Sequence, residues 1–238
     1  MAELLRTEGL TKRFRGLVAN EDIDFTLDAG AIHCIIGPNG AGKTTFLSMI
    51  SGHVAPTAGR VLYKGRDITR ATIAERARIG IGRKFQTPTV FENLTAWQNI
   101  ELAVLRPNGP SAERGGKIAE ILAAIRLTEE ADTLVRYMSH GQRQWLEIGL
   151  LLGNESELLL LDEPTAGMTA EETAATDGLV RRLARERSLS IIIIEHDINF
   201  IRNLRAPVTV LHLGRILKQG PFDLIAADEQ VREVYLGS

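Results

Sequence analysis

Nine consecutive residues, Gly37, Pro38, Asn39, Gly40, Ala41, Gly42, Lys43, Thr44 and Thr45, have the types and spacing to hold a chain of phosphates. They fit the pattern G-x-x-x-x-G-K-[ST]. The glycines let the backbone curl with its N–H groups turned inward, which makes a nest for phosphate oxygens. Lys43 supplies a point charge to the β- and γ-phosphates, and the Thr44 hydroxyl suits a Mg²⁺ ion. A chance match in a chain of this length has odds on the order of 1% at ordinary residue frequencies. The segment predicts binding of a nucleoside triphosphate.

A second chemical group lies far downstream. Leu158, Leu159, Leu160 and Leu161 run directly into Asp162, Glu163 and Pro164, an apolar strand that ends in two carboxylates. Asp162 is placed to hold Mg²⁺ directly or through water, and Glu163 to face the γ-phosphate and polarise an attacking water. The alternative is a buried strand that merely ends in solvated acids. Between the two groups, Ser139 and Gln142 have capping-box spacing ahead of a helix over residues 143–152. Alone, that spacing implies a helix cap and nothing more.

These residues need elements to position them. Residues 31–36 read as a short buried strand feeding the glycine-rich loop, and residues 43–51 as a helix whose N-terminus faces the phosphates. Period-two runs at 23–27 and 60–63, each bounded by turn residues, predict an antiparallel sheet beside this unit. From about 91 to 152 the character is helical. Thr95 and Gln98 open a helix through Val104, residues 106–110 break it, and a second helix covers 112–125. The chain then returns to alternation: a helix at 170–187, a buried strand at 191–194, and a hairpin about Gly214. The expected organisation is a nucleotide-binding core with an antiparallel β-subdomain over 1–86, a helical subdomain over 87–154, and the rest of the core over 155–238.

At 238 residues the chain can bury a full core. Its 28 Lys and Arg against 30 Asp and Glu leave no basic surplus, which argues against a general nucleic-acid binder. The single cysteine, Cys34, lies in the strand feeding the loop and reads as a buried structural thiol. The start lacks the pattern of a signal peptide, and no apolar run approaches the ~20 residues that span a bilayer.

Taken in order along the chain, these stations resemble the ATP-binding-cassette (ABC) ATPases, and the likeness covers essentially the whole sequence. It implies an α/β P-loop NTPase core with an antiparallel β-subdomain and an inserted helical subdomain, ATP as substrate and Mg²⁺ as cofactor. In that family the segment beginning Ser139, His140, Gly141, Gln142 is the signature, where Ser139, Gly141 and Gln142 would bind the γ-phosphate of a nucleotide held by the opposite subunit. Gln86 stands where the family has its γ-phosphate and Mg²⁺ sensor. His196 stands where the family has its switch histidine, against the simpler reading of a structural histidine after a strand. Phe14 matches the aromatic that stacks on adenine, or else is a core aromatic of the first sheet. His33, His53 and His212 have no such placement and read as structural or surface residues. Two positions depart from the general pattern: His140 replaces a glycine, and Thr169, which has capping-box spacing with Glu172, replaces the aspartate of the family's D-loop.

Within the family, residues 83–95, 139–147 and 233–237 are most similar to ATP-binding subunits of branched-chain amino-acid importers, especially the urea and short-chain amide branch. That likeness implies separate transmembrane permease subunits, a second ATP-binding subunit as homo- or heterodimer partner, and indirect work with a periplasmic solute-binding protein. It implies a peripheral position on the cytoplasmic face of a bacterial inner membrane, soluble when isolated, with no nucleic-acid partner. The cleft beside residues 85–91 would receive a short helix of a membrane subunit at Thr87, Pro88 and Thr89, unless Val90, Phe91 and Trp97 simply form the subdomain core. Two rivals stand: the ATPase of an exporter or another importer, and a soluble ABC protein acting on DNA or ribosomes. The latter usually has paired cassettes or a long coiled-coil insertion, and this chain has neither.

Overall fold

Two twelve-residue strands, β1 (Glu3–Phe14) and β2 (Leu17–Asp28), open the chain as an antiparallel pair. Ile23, Phe25 and Leu27 point inward while Asp24 and Thr26 point to solvent, the period-two pattern of a sheet wetted on one face. Then follow β3 (Ile32–Ile36), α1 (Lys43–Ser51), β4 (Ala58–Tyr63), β5 (Arg66–Asp67), α2 (Ile73–Arg78) and β6 (Ile81–Lys84). A helical stretch contributes α3 (Ala96–Val104), α4 (Ser111–Ala124), a 3₁₀ turn (Val135–Tyr137) and α5 (His140–Gly153). The remainder is β7 (Leu158–Asp162), α6 (Ala170–Arg187), β8 (Ser190–Ile194), α7 (Ile198–Leu204), β9 (Pro207–His212) and β10 (Arg215–Pro221), with short helical turns as far as Leu236. The computed structural model describes residues 2–85, 89–105 and 111–236.

The strands form two sheets. One has the order β2-β1-β4-β5 and is antiparallel. The other has the order β10-β9-β3-β8-β7-β6 and is parallel except for β10. Cores on both faces of this second sheet account for the unbroken apolar runs of β7 and β8. Leu159, Leu161, Ile191, Ile193, Cys34 and Ile36 join one core, shared with α3, α4, α5 and α6. Leu158, Leu160, Ile192, Ile194 and Ile35 join the other, with α1 and the first sheet. Among the described residues no helix is long and apolar enough to cross a membrane.

The expected elements are present, but strands β1, β5 and β6 are not among them, and the helices differ in two ways. Helix α5 begins at His140, three residues earlier than its apolar pattern indicates, because Ser139 is its cap and helical geometry starts at the next residue. The short helices α2 and α7 carry little periodicity and escape the sequence. Helix α2 is held by the buried Arg76, which donates to the carbonyls of Met49, Ile50, Thr69 and Ala71. Helix α7 is capped by Asp197, which accepts from the backbone of Asn199 and Phe200. The expected break at 106–110 lies outside the described residues. Cys34 is fully buried, and burial first, with Glu195 nearby, pushes its thiol up to about 12, as suits a structural cysteine.

His33 is buried between the sheets, with Nε2 2.7 Å from Thr209 Oγ1 and its ring edge-on to Phe25. Burial lowers its pKa from 6.5 to about 4. Between those values the unfolded chain binds a proton that the folded chain refuses, so stability is full above 6.5 and falls as pH drops toward 4. The expected loss is up to about 3 kcal/mol. Urea denaturation at pH 7 and pH 5 measures it, and His33→Gln should flatten the difference.

Candidate functional site

Strands β3, β8 and β7 lie side by side and parallel, so the residues following each emerge at one edge. Ligands of open α/β sheets bind at this edge. It gathers the loop 37–42 after β3, Glu195 and His196 after β8, and Asp162 with Glu163 at the end of β7. Gln86, soon after β6, lies outside the described residues, as do Thr87 and Pro88.

The glycines of the loop are required for different reasons. A Cβ on Gly42 would sit 2.3 Å from the Ala19 carbonyl oxygen, and one on Gly37 would sit 2.1 Å from that of Leu211. Strands β2 and β9 therefore press on the loop from both sides. Pro38 is half-buried, Ala41 is buried, and Asn39 and Gly40 are exposed. Helix α1 starts with Gly42 at φ 99°, no side-chain cap and no acidic residue in its first turn. Its leading N–H groups thus remain for a phosphate. Lys43 bridges the loop, its Nζ donating to Gly37 O at 2.7 Å and to Pro38 O at 3.0 Å. Burial lowers its pKa, and Glu163 and Asp162 oppose that shift. Thr44 is exposed and Thr45 half-buried at the start of α1.

Asp162 is buried, which raises its pKa, and Arg83 opposes the rise with Nη2 at 3.2 Å from Oδ2. Its Oδ1 is buried with no hydrogen-bond partner, and the Thr44 hydroxyl lies near enough to favour the charged form of the same carboxylate. A carboxylate oxygen without a partner beside a hydroxyl is a hard oxygen donor set, which fits Mg²⁺. Glu163 occupies the left-handed region at φ 49°, and its N–H still donates to Ile194 O at 2.9 Å. The ladder from β7 to β8 thus runs one residue past the strand before the chain turns. Glu163 Oε1 lies 3.2 Å from His196 Nε2.

Sequence reasoning missed two residues here and half the role of a third. Glu195, buried, accepts from Thr165 N at 2.8 Å, Thr165 Oγ1 at 2.6 Å and His196 N at 3.0 Å, and so ties the turn after Glu163 to the histidine. A carboxylate between an apolar strand and a histidine was its only signal. The second is Arg83. The third, expected only as the capping-box partner of Thr169, is Glu172, whose Oε1 also accepts from Ser139 Oγ at 2.8 Å and Gly141 N at 3.3 Å. Its Oε2 accepts from Thr169 N, the cap of α6, so one carboxylate serves two helix starts.

Ser139 and Gln142 form the expected capping box on α5, with bonds of 3.2 and 2.9 Å, and Gln142 Nε2 reaches Glu130. His140 has its Nε2 2.9 Å from Ala166 O, which gives this departure a structural use. Phe14 is 42% exposed with the Lys12 ammonium 4.8 Å from its ring centre, so the core-aromatic reading of Phe14 is incorrect. Strand β1 carries it past the edge of the core. Val90 and Trp97 pack on the helical core as expected, but Phe91 is exposed. Thr89 is exposed too, yet its N–H and hydroxyl bond to Glu147 on α5 at 2.6 and 3.2 Å.

Comparison with known proteins agrees with this geometry. The profile of the family described as "ABC transporter" matches residues 20–166, and the chain belongs to that family. It is an ATP-hydrolysing ABC cassette. It is 36% identical to the lipopolysaccharide export system ATP-binding protein LptB of Acidithiobacillus ferridurans, over 100% of this chain and 98% of that one. It is 30% identical to the high-affinity branched-chain amino acid transport ATP-binding protein BraF of Pseudomonas aeruginosa, over 98% of each. Its structure is similar to the ADP conformation of MJ1267, an ATP-binding cassette of an ABC transporter, with a TM-score of 0.89, 27% identity and complete coverage of both chains.

The two glycines allow a paired test. Gly42→Ala should weaken binding of a fluorescent ATP analogue at least ~100-fold, because the methyl group meets backbone. Gly40, with nothing within 4 Å of its Cβ position, faces only its positive φ of 80°. Gly40→Ala should therefore cost about 1–2 kcal/mol, a clearly smaller loss in the same titration.

Proposed function

We propose that this chain is the ATP-hydrolysing subunit of an importer of small polar solutes, of the branched-chain amino-acid, urea or short-chain amide kind, and that it works with separate membrane subunits. The observation carrying the catalytic part is the convergence of Lys43, Asp162 and the Glu163–His196 pair on one sheet edge. Glu163 polarises a water that attacks the γ-phosphorus. As the new P–O bond forms, the bond to the β-phosphate oxygen breaks, the water's proton passes toward Glu163, and ADP and phosphate result. His196 Nε2, 3.2 Å from Glu163 Oε1, aligns the carboxylate and supports charge on the transferred group. Lys43 exchanges its two loop carbonyls for phosphate oxygens. Mg²⁺, held by Thr44, Asp162 and Gln86, would neutralise charge on the β- and γ-oxygens. The exposed ring of Phe14 offers a face for adenine.

The chain has one phosphate loop and one signature, so a complete site pairs Lys43 of one subunit with Ser139, Gly141 and Gln142 of another. The partner is a second copy or a related ATP-binding subunit. Residues 1–86 and 155–238 form the nucleotide-binding core, and residues 87–154 the helical subdomain beside the membrane subunits, with a periplasmic solute-binding protein acting indirectly. The sequence likeness at 83–95 and 139–147 and the relation to BraF support the importer reading. A second reading, the ATPase of an envelope export system, is favoured by the 36% identity to LptB.

Glu163→Gln should retain ATP binding, lower hydrolysis at least ~100-fold, and yield an ATP-dependent dimer by size-exclusion chromatography. Lys43→Ala should lose both binding and hydrolysis. Wild-type turnover in either variant removes that residue from the site. Purification with the native membrane subunits decides direction: ATPase stimulation by a solute-loaded binding protein supports import, and stimulation by lipopolysaccharide supports the export reading.

A further inference from the structure

We propose that Arg83 is a positioning residue that holds Asp162 with one oxygen turned toward the metal. No motif marks it, and the proposal rests on the reading that Asp162 holds Mg²⁺.

Arg83 sits on β6, paired with Leu160 of the neighbouring β7, two residues before Asp162. Its side chain is 5% exposed and that of Asp162 2%. Nη2 bonds to Asp162 Oδ2 at 3.2 Å. Nη1 donates to Ser48 Oγ at 2.8 Å and to Ser51 Oγ at 3.3 Å, both on α1. The Phe85 ring packs on the guanidinium at 4.9 Å. A single planar group therefore joins the strand of the metal-holding carboxylate, the helix of the phosphate loop, and the strand leading to Gln86.

The geometry assigns different tasks to the two oxygens of Asp162. Oδ2 is committed to Arg83, and Oδ1 is buried without a hydrogen-bond partner. A guanidinium fixed at one end by two hydroxyls and on one face by a ring defines the plane of the carboxylate it grips. Lysine offers a point charge without that plane. A cation close to a metal site also repels the metal. Positioning and repulsion thus predict opposite results when Arg83 is removed, and the experiment separates them.

The probe is Mn²⁺, titrated by electron paramagnetic resonance into the intact protein with ATP, in the Glu163→Gln background so that ATP persists. Arg83→Met should raise the Mn²⁺ concentration for half-occupancy at least tenfold, and Arg83→Lys at least threefold, while ATP affinity in EDTA changes less than threefold. Unchanged or tighter Mn²⁺ binding in Arg83→Lys would overturn the proposal. Should Arg83→Met fail to fold by thermal melting, Arg83→Lys and the Ser48→Ala/Ser51→Ala double variant decide, the latter expected to weaken Mn²⁺ about threefold. Asp162→Asn separates the two levels. If it leaves Mn²⁺ binding intact, the metal reading itself fails. If it weakens Mn²⁺ binding and the Arg83 variants do not, only the role of Arg83 fails.

Discussion

Parallel pairing of β3, β8 and β7 is the constraint on which the site depends. Because these strands share a direction and a register, their C-terminal ends cannot be separated without breaking the ladder. Ile35 pairs with Ile194, and Asp162 pairs with Ile194 from the other side, so the loop, the acids and the histidine begin within two strand spacings. Burial on both faces locks that register, since a one-residue slip would exchange the two cores. The catalytic geometry is therefore a consequence of core packing.

The charges at this edge are placed in compensating sets. Lys43 loses solvation and is supported by Glu163 and Asp162. Asp162 loses solvation and is supported by Arg83. A buried charge deprived of its partner is costly, by about 3–5 kcal/mol. The site thus holds both signs ready for a polyanion and a cation without exposing either to water, and the groups need little reorganisation when charge develops.

The signature is tied into its own chain as well. Glu172 bonds to Ser139 and Gly141 from α6, and His140 contacts the Ala166 carbonyl just after the Glu163 turn. The two departures from the general ABC pattern, His140 and Thr169, both belong to this link, Thr169 as the cap of α6. Two turns further along α5, Glu147 makes a buried ion pair with Lys84 at 3.3 Å and also accepts from Thr89. Residues on both sides of segment 86–88 are thereby fastened to the signature helix. Movement of that helix and of the segment's flanks is mechanically joined, so a substitution at Thr89 bears on α5 as well.

The sequence by itself determined the phosphate loop, the paired acids, the capping boxes at Thr95, Ser139 and Thr169, and the central strands and longer helices, though not β1, β5, β6, α2 or α7. All are local: each depends on residue types a few positions apart, with hydrogen bonds made within one turn or one loop. It could not reveal that Arg83 reaches Asp162 across 79 positions, that Glu195 reaches Thr165 across 30, or that Glu172 reaches Ser139 across 33. Such charged residues look the same on a solvated surface and in a buried bridge, and only the strand order brings their partners together. Phe14 is the converse case. Its aromatic character suited a core or a ligand face equally, and the way β1 runs past the edge of the core left it in solvent.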